Sequence, residues 1–185
     1  MTVPPGVHYQ ELHWFIQRDS ENKLFGFAQA FRFRTNQNLS SLARGLEDGV
    51  AVCTPKYIAG TEHVRRVLIQ AIEYWGRAEG LARNRSIDLV MRITCQSQIS
   101  RAVKLSEVTD TRQIALFGLV ASAEDAALCS STLLSLGGTR DDSLLKMDSK
   151  RELFLKRFHN LPQWCTSTQI IDLLAEKSIL LAFSK

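Results

Sequence analysis

Six basic side chains, Arg77, Arg83, Arg85, Arg92, Arg101 and Lys104, fall between positions 77 and 104 against only two acidic ones, Glu79 and Asp88. The chain of 185 residues has a formal charge of +4, so this window carries the entire excess. A clustered cationic excess is what phosphate contacts require. A solvated helical face has the same composition, so charge alone leaves both readings open. Within the window lies Cys95-Gln96-Ser97-Gln98-Ile99, whose amides and backbone N–H groups at a helix start can read the edges of an unstacked base. Ordinary capping by Ser97 is the plainer role. His63, at another helix start, can stack on a base or donate to a phosphate, or it can be a half-buried structural histidine. Gly60 before it is either a turn glycine or a place of close backbone approach. A second basic segment, 143–159, holds Lys146, Lys150, Arg151, Lys156 and Arg157. It offers a second nucleic-acid contact or a solvated face.

Other chemistries find no support in the sequence. There is no phosphate-binding G-x-x-x-x-G-K-[ST] loop, no G-x-G-x-x-G and no G-x-S-x-G elbow. The four histidines lack metal-ligand spacing, and Cys53, Cys95, Cys129 and Cys165 form no close pair. Free thiols in a reducing cytoplasm are the expectation, with neither metal nor cofactor. No apolar run approaches the ~18–20 residues that span a bilayer. The N-terminus lacks a basic region followed by an apolar run, so no secretory signal is expected. Hydrophobic residues at 45% and charged residues at 23% suit a folded domain rather than a disordered chain.

The elements that must position these residues follow from periodicity. Residues 9–17 and 24–34 read as strands, the second with Phe25, Phe27, Phe31 and Phe33 on one side. A helix near 38–47 and a short strand at 50–53 follow. Val64, Val67, Leu68, Ala71, Ile72, Trp75 and Ala78 form one apolar stripe, which predicts a helix from 62 to 79. Thr61 is its expected cap and Gly80 its expected end. Residues 86–94 suit strand and helix equally: their β-branched content argues for one, their spacing for the other. A short helix is expected at 98–105, a strand at 113–120, and a helix at 123–136 capped by Ser122. Residues 143–159 read as helical, broken by Asn160-Leu161-Pro162. A last helix runs from Thr166 or Ser167 to about Lys177, and Ile179–Phe183 reads as a terminal strand. The expected fold is α+β: one domain over 1–185, a mixed β-sheet packed with several helices, and a C-terminal helix followed by a short strand.

The order Ala59-Gly60-Thr61-Glu62-His63, then Ser86–Thr94, then Cys95-Gln96-Ser97-Gln98-Ile99, Arg101-Ala102-Val103 and the strand at 113–120 resembles one family. It is that of the smallest, kinase-associated subunit of the KEOPS complex. Ile170-Ile171-Asp172-Leu173-Leu174 and Ile179–Phe183 look like its C-terminus. The likeness covers 50–125 and 166–183; the first strands correspond only by position. Cys95 departs from it, standing where a glycine or proline is usual, and a usual glycine is missing near Ser106-Glu107. The resemblance implies a helix at 86–94. It also implies a non-catalytic subunit of the complex that makes threonylcarbamoyl-adenosine in tRNA, binding that complex's small atypical kinase/ATPase. In archaeal members it recruits tRNA through the single-stranded acceptor end. The implied tRNA set is Gly60, His63, Arg66, Arg83, Arg85, Gln96, Gln98, Ile99 and Arg101. The implied kinase set is Ile170, Leu173 and Leu174, although such residues are more often core. The rival expectation is a protein-interaction regulator of a small kinase without RNA binding.

Overall fold

A computed structural model describes residues 13–17, 23–106 and 111–183. Five strands and seven α-helices follow in order: β1 His13–Gln17, β2 Lys23–Gln37, α1 Leu39–Arg44, β3 Val50–Cys53, α2 Thr61–Gly76 and α3 Arg85–Thr94. Then come α4 Ile99–Ser106, β4 Thr111–Val120, α5 Ala123–Ser135, β5 Thr139–Arg140, α6 Ser149–His159 and α7 Ser167–Leu180. The fold is α+β, as expected. Residues 9–12 of the expected first strand lie outside the described residues.

The sheet order is β1-β2-β4-β3, and the two-residue β5 joins the β1 edge of β2. Every ladder is antiparallel, which corrects the mixed sheet. The reason lies in the long connection between β3 and β4. Three helices, α2 to α4, fill it and return the chain in the opposite direction beside β3.

Alternation along the strands sorts the core into two faces. Phe25, Phe27, Phe31 and Phe33 join Val50, Val52, Ile114 and Leu116 on one face, under Leu42 of α1 and Ala126, Cys129 and Leu133 of α5. Ala28, Ala30, Ala51, Cys53 and Ala115 line the other, with Phe117 and Leu119. Small side chains there let α2 and α3 lie close to the sheet. Val64, Val67, Leu68, Ala71 and Ile72 supply the facing stripe of α2. On the opposite face Gly118 lets β3 approach β4: a Cβ there would sit 2.6 Å from the Gly49 carbonyl oxygen and 2.8 Å from the Val50 Cα. One buried polar link ties sheet to helix, from the Ser130 hydroxyl of α5 to the Gln29 amide oxygen of β2.

The helix ends refine the expectations. Gly60, not Thr61, is the N-cap of α2, and the helix stops at Gly76 rather than running to Gly80. Residues 86–94 are helical, with the Asn84 side chain accepting from the Ile87 N–H. Ser122 caps α5 through the Asp125 N–H, and Thr166 and Gln169 form a capping box on α7.

The terminal strand is also corrected. Helix α7 runs through Ile179 and Leu180, and a single 3-10 turn, Leu181–Phe183, follows. Ile170, Leu174 and Ser178 recur every fourth residue on its buried side, so the helical period carries past the point where the apolar run suggested β structure. Phe183 is exposed rather than inserted in a sheet.

Candidate nucleic-acid interface

The turn between α3 and α4 is built on a left-handed residue. Cys95 has φ 50° and ψ 43°, a conformation that costs a side-chain-bearing residue roughly 1 kcal/mol. The closure resembles the usual glycine-based helix end, with the Gln96 N–H donating to the Met91 carbonyl at 3.0 Å. The thiol compensates by anchoring the turn: Sγ lies 3.5 Å from the Leu174 carbonyl of α7. Burial pushes this thiol up to about 12, so it stays protonated and inert. Cys53 behaves alike, pushed up to about 12 by burial. All four cysteines are free.

Beyond the turn the chain faces solvent. Gln98, Ile99 and Arg101 are exposed, and Ile99 is a large apolar side chain in that position. Gln96 is half-buried, its amide donating to the Thr94 carbonyl at 2.9 Å. At the other end of α3, Arg83 and Arg85 are exposed. The Arg85 guanidinium lies 5.2 Å from the Trp75 ring centroid, an arrangement that orients the cation without removing it from water. Ten residues of α3 set the two ends about 15 Å apart.

An ion pair inside the fold supports this surface. Asp88 Oδ2 accepts from Arg92 Nε at 2.7 Å, and both side chains are 0% exposed. The other Asp88 oxygen accepts from the Leu81 N–H, which pins the loop that carries Arg83. The Arg85 N–H donates to Asp48 and closes that loop against the end of α1's connection to β3. Arg92 stacks on Tyr74 of α2 at 4.7 Å, while its Nη1 and Nη2 have no hydrogen-bond partner among the described residues. Arg92 and Asp88 cancel, so their burial leaves the surface excess of the window intact.

Four expected site residues are placed differently. His63 is fully buried, and its Nδ1 accepts from the Ala59 N–H at 3.2 Å. Burial, with smaller effects of the nearby His159 and Arg66, pulls it down to about 3. It is neutral and out of reach of a base, which corrects its surface role. Arg66 is engaged on both sides, with Glu62 at 3.0 Å and Asp172 of α7 at 2.7 Å. Ile170 and Leu174 are fully buried against Ala59, Leu155, Leu161 and Cys165. They hold α7 on the domain and cannot present a kinase-binding face; Leu173 beside them is half-buried. Gly60 keeps its place at the α2 start with φ 120°, a value that by itself calls for glycine.

The structure thus places Arg83 and Arg85 at one end of α3, and Gln96, Gln98, Ile99 and Arg101 at the other end and the start of α4. Sequence reasoning missed Asp88 and Tyr74 beneath it. The four-residue spacing of Asp88 and Arg92 was the available signal.

Fold and site define an α+β domain with exposed arginines near both ends of α3. Among the described residues no helix is long and apolar enough to cross a membrane, and no cluster of three potential ligands could hold a metal ion. No protein-family model matches the chain, and no curated protein matches it.

Proposed function

We propose that the chain is a non-catalytic subunit of the KEOPS type, acting in the cytoplasm. It binds a small kinase/ATPase and recruits tRNA by the single-stranded 3′ end for threonylcarbamoyl-adenosine formation. One observation carries the reading: Arg83, Arg85 and Arg101 are exposed at the two ends of α3, and no carboxylate is paired with any of their guanidinium groups among the described residues. Gln98 and Ile99, next to Arg101 in the chain at the start of α4, are exposed as well. The sequence resemblance supplies the identity of that strand.

Binding to tRNA is expected to weaken steeply with salt, with a slope near −0.7 per phosphate neutralised on a single strand. The triple change Arg83→Glu, Arg85→Glu and Arg101→Glu should lower affinity at least tenfold and flatten that slope by about 2. Removal of the terminal C-C-A nucleotides should weaken binding as well. Unchanged affinity after trimming removes the 3′-end part of the proposal. Purification from the native cell without a small kinase removes the complex. Kinase binding with no tRNA affinity in the unaltered protein identifies a docking regulator instead.

A further inference from the structure

Helix α5 alone among the described α-helices holds no Lys or Arg. After Glu124 and Asp125 in its first turn, no charged residue occurs until Arg140. A helix face turned to water ordinarily carries charged or polar side chains. This one exposes Leu128, Leu134 and Leu136 at 62%, 49% and 50%, with Ala127, Ser131 and Ser135 between them. The hydroxyls on it are already bonded within the helix. Ser131 donates to the Leu128 carbonyl at 2.7 Å, Thr132 to the same carbonyl at 3.3 Å, and Ser135 to the Thr132 carbonyl at 2.9 Å. Removing water from this face therefore leaves no hydroxyl proton without an acceptor. The other face, with Ala126, Cys129 and Leu133, is fixed on the sheet, and Ser130 is bonded to Gln29, so the outer leucines cannot turn inward.

The composition of this face selects what can cover it. Phosphate-bearing ligands need cations, and the two charges on α5 are acidic. Helices that lie on lipid carry Lys or Arg and aromatic residues, which α5 lacks. A charged protein surface finds nothing here to pair with and would bury its own charges unopposed. The matching surface is itself uncharged and bears leucines, and a second copy of α5 presents it. Leu128, Ser131 and Leu134 follow at i, i+3 and i+6, one ridge of the helix centred on a small residue. Two antiparallel copies crossing at Ser131 set Leu128 of each against Leu134 of the other, the reciprocal contact that a two-fold axis requires. A helix of 13 residues offers a face only ~20 Å long. That is short of the ~800 Å² per partner of a standard interface, so the pairing is weak and concentration-dependent.

We propose that the chain self-associates as a two-fold dimer through the outer face of α5, with Ser131 at the crossing point. The proposal is independent of the tRNA reading, and its test uses no RNA. Sedimentation of the full chain from about 10 µM to about 1 mM should show a weight-average mass rising from 20.8 kDa toward twice that value. Leu128→Glu should weaken association at least about tenfold, because it sets a carboxylate against leucine. Leu128→Glu with Leu134→Lys should restore association, since each introduced carboxylate then meets an ammonium of the other copy. Recovery in a variant that lacks both leucines separates a defined two-fold contact from general stickiness. Leu128 is exposed, so the melting temperature of dilute Leu128→Glu should match that of the unaltered chain. Four results overturn the proposal. The first is a mass of 20.8 kDa at every concentration. The second is association that Leu128→Glu leaves unchanged. The third is no recovery in the double variant. The fourth is a melting temperature lowered by more than about 4 °C in Leu128→Glu, which would show the face to be covered within its own chain.

Discussion

Replacing Asp88 by alanine is expected to destabilise the protein by about 3–5 kcal/mol, the usual effect of leaving one member of a buried ion pair alone. Arg92 has no exposure to water, and Asp88 is its one carboxylate partner among the described residues. Among the described residues its Nη1 and Nη2 are already without hydrogen-bond partners, so loss of the Nε contact leaves a desolvated cation over the Tyr74 ring. For a chain of this length the melting temperature should fall by roughly 10 °C. Two further variants separate charge from shape. Asp88→Asn keeps an acceptor for the Leu81 N–H, so its loop stays pinned while the charge is lost. Asp88→Ala with Arg92→Met removes both charges, and most of the stability should return, because apolar replacement of a buried pair is often neutral or favourable. On the proposed tRNA-binding role, the single alanine variant should also bind tRNA less well, since the loop bearing Arg83 loses its anchor. Thermal unfolding within 1 kcal/mol of the original would show that the pair is not what holds α3 and the loop together.

The second large effect is acid sensitivity. His63 and His159 are both buried and both neutral, pulled down to about 3 and about 4. Burial is the first cause for each; His159 and Arg66 add to it at His63, and Lys177 adds to it at His159. Lys177 also donates to the His159 carbonyl at 2.6 Å, which fixes that cation close by. In the unfolded chain both imidazoles return to about 6.5. The unfolded state therefore takes up protons below that value while the native state does not, and stability falls as pH falls. The contribution is complete above about pH 6.5 and is lost progressively toward pH 3–4. Between pH 7 and 5.5 the two groups together should remove about 2–3 kcal/mol. Carboxylates ordinarily titrate below this window, and Asp141 and Glu152 are held lower still by their hydrogen bonds to Ser143 and Lys156. His63→Gln retains an acceptor for the Ala59 N–H; combined with His159→Gln it should flatten the profile. Identical denaturant midpoints at pH 7 and 5.5 in the unaltered protein would contradict the assignment.

Much of the fold was legible because the pattern and the environment agreed. The apolar stripe from Val64 to Ile72 predicts α2, and the alternating phenylalanines of β2 predict a strand with two different faces. The basic window was legible as composition, and the structure exposes Arg83, Arg85 and Arg101 from it. What the sequence could not convey was depth. Arg92 reads like its neighbours, yet it is interior and cancelled by Asp88. His63 follows Glu62 at a helix start, where surface chemistry is plausible, but its position on the α2 stripe places it under Ala59. Ile179–Phe183 combines β-branched and bulky residues over a strand-like length, and only the burial of Ser178 shows that the helical phase continues. Trp164 is the opposite case. Its sequence context suggested a helix break and nothing more, because exposure of a large aromatic depends on which neighbours face inward.

The long excursion between β3 and β4 has a kinetic meaning. These strands are neighbours in the sheet, yet α2, α3 and α4 all lie between them in the chain. Closing such a loop is entropically costly before its contacts repay it, so this ladder should be among the late events of folding. The α3–α4 turn and the loop bearing Arg83 lie within that excursion, and Asp48 and Ser86 join it to the chain entering β3. Amide hydrogens of β3 and of the α3–α4 turn should consequently exchange as one cooperative unit. A partner that binds the turn would slow exchange at the sheet edge some distance from the contact itself.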